Sequence, residues 1–88
     1  MLLVADFEAG AASAVMESPL AADQAAEVQP DGRVRIRARV VDSRSLRAWL
    51  MGFGPAVEVI EPPALRRQVA GDVEKMWARY RDRAEADD

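Results

Sequence analysis

From Arg33 to Val40 the chain alternates without a break: Arg33, Arg35, Arg37 and Arg39 are interleaved with Val34, Ile36, Ala38 and Val40. Strict period two over that length predicts a half-buried β-strand. Its apolar face enters a core, and its other face carries four guanidinium groups about 7 Å apart. Just upstream, Pro30-Asp31-Gly32 is a hairpin signal. It joins the arginine strand to a partner at Ala26–Gln29, with Val28 expected inward and Glu27 and Gln29 outward. Leu2–Phe7 is apolar on both faces, as a central strand is.

The intervening segments change period. Glu8–Met16 is alanine-rich and predicts a helix that packs through Val15 and Met16, with Gly10 a weak point and Pro19 its stop. Leu20–Gln24 reads as loop with a helical turn. Asp42 or Ser43 can cap a second helix, in which Leu46, Trp49, Leu50 and Phe53 recur at i, i+3, i+4 and i+7. Gly52 and Gly54 end it, and Pro55 forbids its continuation. Val57–Glu61 is a fourth strand, halted by Pro62-Pro63, and Pro63 can open a last helix. Leu65, Val69, Val73, Met76, Trp77 and Tyr80 form a broad stripe along that helix, weakened at Gly71.

The order is strand, helix, strand, strand, helix, strand, helix. It predicts an α+β fold: a ferredoxin-like βαββαβ sandwich with an antiparallel four-stranded sheet and an additional C-terminal helix. The first strand then lies beside the arginine strand, and the sheet's second face is open unless the last helix or a partner covers it. Residues 1–82 make the domain, and residues 83–88 a charged tail expected to fray.

Composition narrows the chemistry. With 88 residues, half of them apolar and 31% charged, the chain is one globular unit of modest stability. It has 12 basic and 15 acidic residues and a net charge of −3, a field that repels nucleic acid and anionic membrane. Cysteine and histidine are both absent, which removes thiol nucleophiles, imidazole bases and the usual zinc ligands. No cofactor, metal or catalytic residue is expected. Acid pairs such as Glu58 and Glu61, or Asp72 and Glu74, lack the apolar setting of general acid/base catalysis. No apolar run approaches the length of a membrane span, and Asp6 follows Met1 too closely for a signal peptide. A cytoplasmic protein is the expectation. A core strand opening at residue 2 suggests either an internal start or a segment cut from a longer chain.

The run from Trp49 to Arg66, Trp-Leu-Met-Gly-Phe-Gly-Pro-Ala-Val-Glu-Val-Ile-Glu-Pro-Pro-Ala-Leu-Arg, resembles the end of the WYL-domain transcriptional regulators. There a helix closing in a tryptophan-leucine-leucine-glycine-phenylalanine-glycine motif leads to a valine-glutamate-valine strand, a proline and a terminal helix. The Asp31-Gly32 hairpin and the arginine-rich strand also look like this C-terminal extension, called WCX, and the resemblance spans roughly Leu2 to Tyr80. Met51 stands where leucine is more usual, a volume-conserving change. Glu17–Ala22 lacks the basic and histidine side chains of relatives, so no ligand contact carries over to it. The resemblance implies the regulatory module of a bacterial regulator, concerned with dimerisation or effector sensing. The DNA-binding winged helix and the WYL domain are both missing from these residues.

Two groups of candidate site residues follow. Arg33, Arg35, Arg37 and Arg39 are either a platform for an anionic effector or protein partner, or a solvated face balanced by Asp6, Glu27 and Glu58. Val73, Trp77 and Tyr80 are either packed within the domain or a dimer surface. Trp49 and Phe53 read as core, and Gly52 and Gly54 as helix termination, since no phosphate-loop lysine follows. The expected partners are the rest of a regulator chain or a homodimer mate, with no sequence-specific DNA and no membrane. A freestanding protein-interaction domain using the open sheet is the rival reading, and a small-molecule-binding enzyme a distant third.

Overall fold

The computed structural model describes the backbone of residues 1–87 and the side chains of residues 1–83. The elements are β1 (Leu2–Phe7), α1 (Ala9–Glu17), β2 (Ala25–Val28), β3 (Val34–Arg39), α2 (Arg44–Met51), a 3-10 turn (Gly54–Ala56), β4 (Val57–Glu61) and α3 (Pro63–Asp87). The charged tail expected at residues 83–88 lies for the most part outside the fully described residues.

The sheet has strand order β2-β3-β1-β4, and each neighbouring pair is antiparallel. The first strand does lie against the arginine strand. Their register pairs Leu3 with Ala38, Ala5 with Ile36 and Phe7 with Val34, so these six side chains share the face that carries the core. Ala12 and Val15 of α1, with Leu46 and Leu50 of α2, close over them. Phe7 is completely buried, with its ring 5.1 Å from that of Phe53 and 6.2 Å from that of Trp49. Trp49 and Phe53 meet edge to face at 4.8 Å, so both join the core as their helical spacing implied.

Local chemistry explains the connections. The β2–β3 hairpin is closed by Gln29, whose N–H donates to the Arg33 carbonyl at 2.7 Å and whose carbonyl accepts from Gly32 N–H at 2.9 Å. Gly32 has φ +87°, a conformation glycine adopts without a Cβ penalty. Ser43 rather than Asp42 caps α2, its hydroxyl accepting from Leu46 N–H at 3.1 Å. Gly52 closes that helix while still helical, and the left-handed residue is Gly54, φ +57°.

Three expectations are corrected. β2 begins and ends one residue early, because Gln29 is consumed by the turn. Val28 sits opposite Val34 on the core face, yet it is 72% exposed, because the helices cover the inner strands and leave the β2 edge bare. Met16 is about half exposed. Neighbours on a helix point 100° apart, and α1 buries Val15 instead.

The last helix does not lie across the open sheet face. It docks by its first turns on the β4 edge, burying Leu65 and half-burying Val69. Arg66 secures it, donating to the Val59 carbonyl at 2.8 Å and to Glu58 at 2.7 Å. Beyond Val69 the helix overhangs the domain. A compact chain of this length has a radius of gyration of about 12 Å, whereas this one reaches 14.5 Å with a long axis of 48 Å.

Candidate functional site

The structure separates the two groups of candidate residues onto different surfaces. The arginines occupy the open sheet face, as their phase requires, and strand register sets each beside particular neighbours. Glu27 of β2, Arg35 of β3, Asp6 of β1 and Glu58 of β4 form one row across all four strands. Glu27, Arg35 and Asp6 alternate in sign, which stabilises adjacent positions, whereas Asp6 and Glu58 are like charges side by side that Arg33 bridges.

Asp6 is the centre of this row. It is only 1% exposed, and its carboxylate accepts two bonds from Arg35, at 2.8 and 2.9 Å. Such a bidentate fork is the strongest ion-pair geometry available to arginine. Arg33 reaches over the same carboxylate at 3.7 Å, bonds Glu58 at 2.8 Å and turns back to Asp31 at 2.8 Å. Arg66 completes the far end of Glu58 at 2.7 Å. Three arginines thus meet three carboxylates, and every buried side-chain polar atom among the described residues has a hydrogen-bond partner.

Protonation equilibria report the same pairing. Hydrogen bonds from Arg33, then from Arg66, hold the Glu58 carboxyl below its ordinary pKa. Asp31 is also lowered, first by the Arg33 backbone N–H and then by its guanidinium. The bond to Glu58, and next that to Asp31, raises Arg33 further above its ordinary value, and Asp6 does the same for Arg35.

Arg37 and Arg39 differ. Arg37 makes one 3.3 Å contact with the exposed Glu27, a pair of the kind that contributes little. Arg39 is tied through its backbone N–H to Asp23 at 3.2 Å, and its guanidinium forms no ion pair among the described residues. The free positive charge of the face is therefore confined to the end of β3 distant from the hairpin.

The second surface belongs to α3. Val73, Trp77 and Tyr80 are 50%, 60% and 72% exposed, so packing within the domain does not account for them. With Val69 and Met76 they line one side of an apolar groove of about 410 Å³. Its opposite wall is Leu50, Met51 and Pro55, and its floor is Val57 and Val59.

Asp31 and Arg66 had no place in the sequence reading of the charged face, Asp31 being a turn residue and Arg66 part of a helix start. The groove wall was missed as well. Only the docking angle of α3 brings Arg66 to Glu58 and sets the stripe across from Pro55, and no spacing in the sequence encodes that angle. Among the described residues no cluster of three or more metal-binding side chains occurs, and no helix is long and apolar enough to cross a membrane.

The fold and these surfaces define a small α+β domain with an internally paired arginine face and a projecting apolar helix. The WCX domain family model matches residues 1–77, and the chain belongs to that family. The family supplies a regulatory domain of WYL-type regulators. A comparison with curated proteins finds no match.

Proposed function

We propose that this domain is the regulatory end of a bacterial, cytoplasmic WYL-type transcriptional regulator, and that it acts by association rather than by reading DNA. The observation that carries the reading is the contrast between its two surfaces. Arg33 and Arg35 are committed to Glu58, Asp31 and Asp6, whereas Val73, Trp77 and Tyr80 stand exposed along a helix the domain does not cover. Nonspecific DNA affinity needs several free phosphate-binding cations, and the paired face of an acidic chain offers few. Apolar area in a groove drives association with the rest of a regulator chain or with a homodimer mate. An anionic effector finds the least committed cations of the face at Arg37, held only by the exposed Glu27, and at Arg39.

Sedimentation over a concentration series tests the association surface, comparing wild type with V73E/Y80E. The variant should stay monomeric where wild type self-associates; equal behaviour of the two removes α3 from the reading. Titration with labelled duplex DNA at physiological salt should show no sequence-selective binding, and tight selective binding would overturn the assignment. Inorganic phosphate and a nucleotide panel, titrated against wild type and R37A/R39A, assess the effector role. Loss of anion affinity in the variant supports it, and identical binding removes these two arginines from any effector site.

A further inference from the structure

The exposed part of α3 carries enough pattern to specify its own complement. Val69, Val73, Met76 and Tyr80 are spaced four, three and four residues apart, the spacing of a heptad seam between two helices. All four line the groove side of the helix. Ala70 and Trp77 flank the seam on one side, and Asp72 and Arg79 on the other, each pair one heptad apart. Asp72 and Arg79 are both exposed, and neither forms an ion pair among the described residues. Within one helix they are about 10 Å apart along the axis and out of mutual reach.

We infer that α3 pairs with α3 of a second copy of this chain, antiparallel, about a twofold axis passing between Glu74 and Lys75. In that register Val69 faces the partner's Tyr80, and Val73 faces the partner's Met76. Trp77 lies over the partner's Ala70, a large side chain on a small one, and the symmetry repeats the contact. On the opposite flank Asp72 meets the partner's Arg79, again twice. One isologous arrangement thus satisfies the apolar seam, the size match and both charges. A parallel pairing lacks this economy: it sets Asp72 beside the partner's Trp77 and leaves Arg79 without an acid.

The groove supports the same occupant. An antiparallel partner helix brings its Tyr80 end over the floor at Val57, against the wall formed by Met51 and Pro55. The exposed portions of Trp77 and Tyr80 supply on the order of 250 Å² per chain. The whole contact then falls in the small class of interfaces, below about 1,200 Å² in total. A reversible dimer that dissociates on dilution is the form this area supports.

This inference rests on the reading of α3 as an association surface, and charge reversal separates the two. The intact 88-residue chain and its D72R, R79D and D72R/R79D variants are sedimented from micromolar to near-millimolar concentration. Wild type should dimerise, and each single variant should dimerise about tenfold or more weakly, since two attractive contacts become repulsive. The double variant should regain wild-type affinity, and an equimolar mixture of D72R with R79D should form a heterodimer tighter than either homodimer. Recovery in the double variant and in the mixture cannot come from a folding defect. A wild-type dimer indifferent to all reversals overturns the antiparallel register while leaving the association surface intact. A wild-type chain that is monomeric throughout overturns the pairing with a second copy.

Discussion

The chain's two tryptophans lie on helical stripes of similar spacing, and the structure predicts opposite consequences for removing them. Trp49 is half-buried, with its ring against Phe7 and Phe53; Trp77 is 60% exposed on the overhang. Truncation of a core tryptophan to alanine costs about 3–5 kcal/mol. Trp49 retains some solvent contact and water can enter part of the space it leaves, so about 3 kcal/mol is expected. A chain of this length has a total stability of roughly 4–13 kcal/mol. W49A should therefore lower the melting temperature by about 12–24 °C. W77A should stay within about 0.5 kcal/mol of wild type, as surface changes do. Urea titration followed by far-UV circular dichroism, at concentrations where the chain is monomeric, gives both values. Emission provides an independent check: W77A keeps the shielded Trp49 and should emit to the blue of W49A. Comparable losses in the two variants, or a W49A loss under about 1 kcal/mol, would refute the assignment of core and overhang.

Glu58 is held below its ordinary pKa by Arg33 and then Arg66. Its contribution to stability is complete above the unfolded carboxylate value and is lost as pH falls through the lower folded one. The urea midpoint should drop on acidification below about pH 5, and E58Q should show a shallower drop; parallel curves would mean the Glu58 pairs carry no linkage. S43A should lose about 1 kcal/mol through the missing α2 cap, measurable as a shift in the same midpoint. A Cβ built on Gly71 of α3 meets nothing within 4 Å. G71A should consequently stabilise the chain by about 0.5–1 kcal/mol, and a destabilised variant would show that this helix face is occupied.

The elements bounded by strong punctuation were legible in the sequence. Gly54-Pro55 and Pro62-Pro63 bracket β4, whose observed span is Val57–Glu61 as expected, and strict alternation placed Val34, Ile36 and Ala38 in the core. Proximity of β1 to β3 followed from the element order, and with it the meeting of Asp6 and Arg35. Periodicity, however, assigns a side chain to a face without saying whether anything lies over that face. Val28 and Trp77 show the difference: each occupies the phase expected of it, and each is exposed for want of a covering element. Side-chain reach was equally out of view. Arg33 spans from Asp31 to Glu58, and no pattern of neighbours along the chain encodes such a bridge.

The hold of Arg66 on the β4 edge also has a mechanical side. From Pro63 to Tyr80 the helix is about 26 Å long, and only its base is fastened. It is a lever whose fulcrum is the Glu58 carboxylate and the Val59 carbonyl. Rotation of the base by about 5° carries Tyr80 through roughly 2 Å. A gap of about 1 Å already forfeits up to half of a van der Waals contact. Small adjustments among Arg33, Glu58 and Arg66 are therefore amplified at the tip, where Tyr80 moves by more than a van der Waals contact tolerates.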